Sequence, residues 1–414
     1  MRIWSRGTLL VLGLSLAACG GDSSSSGPET AQTPIRIGQL TTLTGALDRL
    51  GGPWRATAEM AVAEINAAGG VLGRTLELVV ADTETDPGAA VLGAQSLVAQ
   101  GVVAIVGPQI SSATVRVANE VTIASDTPII SPSATAADIT TLEDRGLVWR
   151  TAASDLLKGK IVATYAYELG LRTAGIIFVD NEFGRGMLQE FVNSFEALGG
   201  QVLNRVNYPE LDGDAIELYD YRPHAEAVMA EEPDLVYIIA FGADGVKIMI
   251  NADTIVSDTY RPQFMTELAP SADLLPLVAV YEGLLGLEQR SPVSANRDLF
   301  VDNYKARYGQ DPEQFSDGIY DAVYLLALAI EQGGSTDADV IVSQLRDVSL
   351  SGAAVNVADF ARAKTLIDND LDIDYEGASG SIDFDAHGDV TSGTFRVWQV
   401  QNAAFADVIT ITFP

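Results

Sequence analysis

Segments typical of buried strands alternate with amphipathic helical segments along most of this chain, and this alternation limits the folds open to it. Residues 35–40 form an apolar, strand-like run. Residues 56–68 carry apolar side chains at helical spacing, and Gly69 and Gly70 end that segment. Strands at 75–81, 103–106 and 128–131 alternate with helices at 89–100 and 112–124. The pattern predicts a parallel sheet covered by helices on both faces.

The alternation restarts after Thr151 and predicts a second α/β lobe. We expect helices at 158–169, 184–198, 223–230 and 244–256, and strands at 174–179, 201–208 and 235–240. Residues 293–348 are mostly helical in character, and residues 382–384 and 395–400 suggest late strands. The sequence alone does not assign this C-terminal third to either lobe.

The N-terminus has the pattern of a lipoprotein export signal. Arg2 and Arg6 precede an apolar run over residues 8–18, which is too short to span a bilayer. Small residues then lead to Cys19, the only cysteine of the chain. We expect residues 1–18 to be a signal peptide, Cys19 to be lipidated and residues 19–34 to form a flexible tether. The alternative is a cysteine buried in a core after a short helix.

The charge of the chain excludes some functions. The sequence has 25 basic and 56 acidic residues, a formal net charge of −31. Such a surface repels nucleic acid, so we expect no nucleic-acid partner. The excess of acid is typical of proteins adapted to high salt, and it also suits the ordinary solubility of an exported protein. A single cysteine leaves no disulfide within the chain, so the core must stabilise the fold.

Several short segments, in their order and spacing, resemble the leucine/isoleucine/valine-binding branch of the periplasmic substrate-binding proteins of ABC importers. These segments are Leu43-Thr44-Gly45, residues 63–70, Asp82 with Asp86-Pro87, Val106-Gly107 with Ser111-Ser112, residues 131–135, Tyr320-Asp321-Ala322, residues 375–380, Phe384-Asp385 and Gly388-Asp389. The resemblance covers the chain from Ile35 to the C-terminus. It implies a type I fold, in which two α/β lobes joined by three crossovers close on a small ligand.

The resemblance also implies where the lobes divide. The crossovers would lie near 151–154, 283–287 and 385–391. Lobe I would then comprise residues 35–153 and 287–388, and lobe II residues 154–286 and 389–414.

Polar residues follow two predicted strands of lobe I. Ser111 and Ser112 stand where a strand turns into a helix, so their hydroxyls and the free N–H groups there suit a carboxylate. The alternative is that these serines only cap their helix. The resemblance implies a ligand carboxylate at Ser111. It also implies that the turn Ser133-Ala134-Thr135 contacts both ends of a bound amino acid, at the edge of the sheet where ligands of α/β proteins lie.

The resemblance assigns further ligand contacts to both lobes. Phe183 and Phe241 would cover the ligand from lobe II, and both are Phe where well-known relatives carry Tyr. Glu267 would meet the ligand ammonium. Gln109 would line the pocket for the ligand side chain, where some relatives carry an apolar residue. Each aromatic residue could instead belong to the core, and Glu267 could instead be exposed.

Other kinds of site are not indicated by the sequence. The chain has two histidines, His224 and His387, far apart, so we expect neither a zinc site nor a His-based triad. Residues 368–374 resemble the start of a calcium loop, but Ile373 stands where that loop needs Gly, and Ser379 where it needs Glu. We therefore expect no metal, no cofactor and no catalysis.

These observations together predict an exported, membrane-anchored solute-binding lipoprotein of an ABC importer. It would be a monomer that captures a small amino acid, branched-chain or otherwise apolar, or an amide, and presents it to a permease. It would contact the membrane only through its lipid. A sensory module reporting to a signalling partner is the first alternative, and an exported two-lobed enzyme is the second.

Overall fold

Two large sheets and one two-stranded sheet organise the part of the chain that the computed structural model describes, namely residues 33–211, 213–268, 270, 274, 277 and 281–413. The predicted signal peptide and Cys19 lie outside these residues. Among the helices described, none is long and apolar enough to cross a membrane.

The sheet of lobe I is fully parallel, with strand order β2-β1-β3-β4-β5. Its strands are β1 (Ile35–Thr41), β2 (Leu76–Asp82), β3 (Ala104–Val106), β4 (Ile129–Ser131) and β5 (Val148–Arg150). The helices of this part are α1 (Asp48–Ala67), α2 (Pro87–Ala99), α3 (Ser111–Val117) and α4 (Ala137–Thr140). Helix α3 continues through a π-helical turn, Ala118–Thr122, to Ile123–Ser125.

Both faces of this sheet are buried, because successive side chains of a strand point to opposite faces. Ile105 packs with α2 and α3 on one face, whereas Ala104 and Val106 pack with α1 on the other. The sequence pattern predicted this arrangement. Because helices cover both faces of the sheet, the polar loops lie at the edge formed by the carboxyl ends of the strands.

The sheet of lobe II is mixed, with strand order β14-β13-β10-β9-β8-β6-β7. Strands β6 (Thr173–Val179), β7 (Gln201–Tyr208), β8 (Leu235–Ile239), β9 (Gln263–Thr266) and β10 (Leu285–Arg290) are parallel. Strands β13 (Gly393–Gln401) and β14 (Ala404–Phe413) add an antiparallel hairpin. The predicted parallel α/β arrangement is confirmed for these five strands, and the hairpin adds an antiparallel edge because a two-residue turn between β13 and β14 allows only antiparallel pairing.

The helices of lobe II are α5 (Asp155–Glu168), α6 (Glu182–Ala197), α7 (Gly213–Leu218), α8 (Arg222–Met229) and α9 (Gly242–Asp253). Helices α5 and α6 pack on the face that carries Ile176, and α8 and α9 on the face that carries Ile177.

The C-terminal third returns to lobe I. Its elements are α10 (Ala295–Tyr308), α11 (Ser316–Gly333), α12 (Ala338–Leu350), β11 (Ala353–Asn356), α13 (Phe360–Ile367) and β12 (Ile373–Glu376). Helix α11 is buried over most of its length and shares one core with α1 and β1. Residues 382–384, predicted as a strand, contribute only the bridge between Phe384 and Val390.

The chain passes between the lobes at three places. It leaves lobe I between β5 and α5, returns between β10 and α10, and leaves again between Phe384 and β13. The second passage lies after Arg290, so placing it at residues 283–287 was wrong. Residues 287–290 pair with β13 and belong to lobe II because they complete strand β10.

A buried ion pair anchors the third passage to lobe I. Arg150, the last residue of β5, is fully buried and binds Asp389 through two contacts, Nε to Oδ1 at 2.5 Å and Nη2 to Oδ2 at 2.8 Å. Arg150 also donates to the carbonyl of Ala136 at 2.8 Å, and the Thr140 hydroxyl donates to Asp389 at 2.7 Å. These contacts hold the start of the third passage against lobe I.

Candidate functional site

A cleft of about 700 Å³ lies between the two lobes, at the carboxyl ends of both sheets. Its walls come from the loops after β3 and β4 in lobe I, from those after β6, β8 and β9 in lobe II, and from the passages between the lobes. This position and volume are typical of small-molecule sites in α/β proteins. Of the nine predicted ligand-binding residues, eight line the cleft: Gln109, Ser111, Ser112, Ser133, Thr135, Phe183, Phe241 and Glu267.

The lobe I wall carries polar groups with unused bonding capacity. Ser111 and Ser112 open helix α3, whose N-cap is Ile110, and neither hydroxyl caps the helix. Ser111 Oγ instead accepts a hydrogen bond from the Ala136 N–H at 3.2 Å. Ser112 Oγ and both amide atoms of Gln109 are buried and find no hydrogen-bond partner among the described residues. Capping therefore does not explain these serines, and the wall offers donors and acceptors to the cleft.

The turn after β4 is held in place by its own hydrogen bonds. Ser133 Oγ donates to the Gln109 carbonyl at 2.9 Å, and the Thr135 carbonyl accepts from the Asp155 N–H at 2.7 Å. Ala134 is fully buried, and its carbonyl accepts from Arg150 at 3.4 Å. Ala134 therefore does not line the cleft, and it supports the turn from behind.

Two stacked rings form an aromatic wall on lobe II. The ring centroids of Phe183 and Phe241 are 5.7 Å apart, and the planes meet at 21°. Asn181 positions the first ring, because its side chain caps α6 by accepting the Gly184 N–H at 2.9 Å. Both rings are half-buried and line the cleft. The wall offers apolar area to one side of a ligand.

Glu267 follows β9 and already has partners inside lobe II. Its carboxylate forms an ion pair with Lys158 and accepts a hydrogen bond from the Tyr237 hydroxyl. Burial raises the pKa of Glu267 to about 7, against the opposing effect of Lys158. Burial likewise raises the pKa of the neighbouring Asp155 to about 6, again opposed by Lys158. The predicted anchor for an ammonium thus has a lysine beside it.

Sequence reasoning missed Lys158, although one signal pointed to it. Lysine is scarce in this chain, and Lys158 lies in the first turn of α5, directly after the first passage between the lobes. Its approach to Glu267 depends on the tertiary packing of lobe II, which the sequence does not reveal.

Further charged residues of the cleft were also missed. Arg297 binds Asp317 at 3.1 Å, and Arg396 pairs with Glu288. Burial raises the pKa of both carboxylic acids, partly offset by the arginines. The described lining contains five basic side chains and four acidic ones, which are Arg49, Lys158, Arg290, Arg297, Arg396, Glu267, Glu288, Glu313 and Asp317.

The arrangement suits the binding of a small molecule. Apolar side chains, among them Trp54, Phe183 and Phe241, share the lining with a few fixed polar groups. Within the described ranges, no group of three or more His, Cys, Asp or Glu side chains is arranged to hold a metal ion.

Comparison with known proteins gives concordant matches. The chain is 26% identical over 390 residues to the chemotactic signal transduction system substrate-binding protein BasB of Halobacterium salinarum, covering 90% of this chain and 88% of that protein. It is 27% identical over 378 residues to a leucine-, isoleucine-, valine-, threonine- and alanine-binding protein of Pseudomonas aeruginosa, covering 89% and 90%.

The crystal structure of a leucine binding protein from Thermotoga maritima superposes with a TM-score of 0.74 at 25% identity, covering 91% of this chain and 98% of that one. The predicted type I fold is thereby confirmed. The model of the family described as periplasmic binding protein matches residues 34–373. The chain therefore belongs to the periplasmic binding protein family, whose members bind solutes.

Proposed function

We propose that this protein is the capture subunit of an ABC importer, which binds a small amino acid, branched-chain or otherwise apolar, or an amide between its lobes. The observation that carries the proposal is the cleft at the carboxyl ends of both sheets, where polar groups of lobe I face the aromatic wall of lobe II. Two relatives that match over about nine tenths of their length are named as binding proteins for leucine, isoleucine and valine, one of them also for threonine and alanine. The protein performs no chemistry on its ligand.

The ligand bridges the lobes. Its carboxylate binds at Ser111 and Ser112, with Ser133 and Thr135 beside them, and its apolar part packs on Phe183 and Phe241. Only contacts made with both lobes at once favour the closed form over the open one. The permease then recognises the closed form.

Export and lipidation at Cys19 keep the receptor close to its permease. The tether of residues 19–34 lets the folded body move near the membrane. We propose that the protein works there as a monomer.

A sensory role is the second candidate. It is favoured by the similarity to a Halobacterium protein named as part of a chemotactic signal transduction system. The same closed form would then be read by a signalling partner. A permease encoded beside this protein would favour transport.

A thermal-shift screen of the chain from Pro34, which forms one compact unit, tests the proposal. The panel holds amino acids, short amides and organic acids. A ligand at about 100 times its Kd should stabilise the fold by roughly 2.7 kcal/mol. Ser111→Ala should lower affinity about tenfold, since a hydrogen bond to a charged group is worth about 1.5–3 kcal/mol.

Ser343→Ala is the matched control, because Ser343 is exposed on α12 and does not line the cleft. It should leave binding unchanged. A folded protein that responds to no member of the panel would rule out the proposed ligand class.

A further inference from the structure

The ion pair between Lys158 and Glu267 occupies the place where an amino-acid ligand would need a free carboxylate. Glu267 Oε2 faces Lys158 Nζ, and Oε1 accepts from the Tyr237 hydroxyl. The Glu267 side chain is 2% exposed and the Lys158 side chain 11%. A ligand ammonium would have to share this buried carboxylate with the ammonium of Lys158 or displace it.

The pair does not depend on closure of the cleft. Lys158 lies on α5, Glu267 follows β9 and Tyr237 lies on β8, so all three belong to lobe II. The carboxylate is therefore neutralised before any ligand arrives.

Displacement of Lys158 is opposed by its burial. A lysine forced away from Glu267 would lose its direct ion pair at a poorly solvated site, with the buried Asp155 and Glu288 as the nearby acids. A second ammonium would bring like charges together in the same low-dielectric region. Lys158 has three N–H donors, so it can meet an acceptor oxygen of a ligand while remaining paired with Glu267.

The charged side chains of the cleft also bear on the charge of the ligand. Five of the nine charged side chains in the described lining are basic, whereas the whole chain has 25 basic and 56 acidic residues. The cleft thus carries one more basic than acidic side chain within a strongly acidic protein, so it repels an anion less than the rest of the surface does.

We infer that the ligand is an apolar carboxylic acid without an ammonium group, such as an oxo acid, and that Lys158 determines this specificity. The inference rests on the proposed capture function and replaces the amino acid of that proposal by the corresponding acid without an ammonium group. The acceptor oxygen next to the carboxylate meets Lys158 Nζ, and the apolar part packs on the aromatic wall.

Isothermal titration calorimetry with matched ligand pairs tests the inference on the chain from Pro34. The pairs are leucine, valine and phenylalanine, each with the oxo acid in which a carbonyl oxygen replaces the ammonium. We expect one oxo acid to bind at least tenfold more tightly than its amino acid. This ratio corresponds to about 1.4 kcal/mol.

Variants at Lys158 give a second, independent readout. Lys158→Gln and Lys158→Met remove the cation and free Glu267, so the amino acid should gain at least tenfold in affinity and the oxo acid should lose at least tenfold. Lys160→Gln is the matched control, because it removes an exposed lysine of the same helix outside the cleft. It should alter neither affinity.

The outcomes separate this inference from the proposed function. An amino acid that binds the unaltered protein at least as tightly as its oxo acid would overturn the inference and leave the capture function intact. The failure of all six compounds to bind would overturn the inference, and the failure of the wider thermal-shift panel as well would overturn the capture function. If the Lys158 variants do not fold, the comparison in the unaltered protein still decides.

Discussion

Glu267 and Asp155 place two carboxylic acids around one buried lysine. Burial raises both pKa values, Lys158 opposes the rise in each, and repulsion from Asp155 raises the pKa of Glu267 further. The folded protein therefore binds protons at Glu267 in a pH range where an ordinary glutamate is already ionised. This difference makes stability depend on pH.

We predict that Glu267 makes the protein less stable as pH rises from about 4.5 to about 7. In this window the folded state holds more protons than the unfolded state, whose glutamate has a pKa near 4.5. The contribution is fully present below the unfolded pKa and is lost as pH rises through the folded one. Glu267→Gln removes it. The unfolding free energy of the unaltered protein should then fall relative to the variant by up to about 1.4 kcal/mol per pH unit.

Urea unfolding of both proteins at several pH values measures this difference. Asp155 titrates in both proteins, so its effect largely cancels. Unfolding free energies that run parallel with pH would show that Glu267 titrates normally in the folded state.

The predictability of the site residues depended on how each one reaches the cleft. Ser111 and Ser133 follow strands directly, so the rule for strand ends located them from the sequence. Lys158 lies inside a helix, and Arg297 and Arg396 come from distant parts of the chain. They reach the cleft through tertiary packing, which local sequence patterns do not predict. Ala134 was wrongly predicted to contact the ligand. It belongs to the same three-residue turn as Ser133 and Thr135, but it lies on the buried side of that turn.

At the scale of elements, the third passage between the lobes depends on one ion pair. Arg150 ends β5, and Asp389 lies in the segment that leads to β13. Breaking a buried pair leaves an uncompensated charge, which destabilises proteins by about 3–5 kcal/mol.

We predict that Asp389→Asn lowers the free energy of unfolding by about 3 kcal/mol, because Arg150 keeps its buried charge. Glu196→Gln is the matched control. This substitution breaks the ion pair between Glu196 and Arg205, which is 3.2 Å long and joins two side chains that are about half exposed. It should lower the free energy of unfolding by less than about 1 kcal/mol. Guanidinium unfolding measures both variants, and equal effects would show that the pair does not fix the passage.

Element length explains which parts of the fold were predictable. Long segments such as α6 and β7 show a clear period, and their predicted bounds lie close to the observed ones. Strands of three or four residues are too short for a period to show. Strands β3 and β4 were still predicted, because they lie in runs of Val and Ile, whereas β5 and β9 contain more polar or aromatic residues and were missed. Strand β10 was missed for another reason. It lies just before a passage between the lobes, and the local sequence does not show to which lobe's sheet it belongs.

At the scale of the whole molecule, the net charge of −31 opposes the compact state. With 56 acidic and 25 basic residues, more than half of the acids cannot have a cation of their own. Most of the surface ion pairs join side chains that are about half exposed, so each contributes little. Repulsion among surface carboxylates therefore affects the stability of the fold more than the surface ion pairs do.

We predict that salt stabilises this protein at neutral pH. Raising NaCl from about 0.1 M to about 1 M shortens the Debye length from roughly 10 Å to roughly 3 Å, which screens repulsion between neighbouring carboxylates. Thermal unfolding should show a Tm that rises across this range and levels off beyond it. The same series near pH 4.2, the isoelectric point of the sequence, is the control, because the net charge there is close to zero and the rise should largely vanish. A Tm that stays constant or falls at neutral pH would mean that screened ion pairs outweigh screened repulsion.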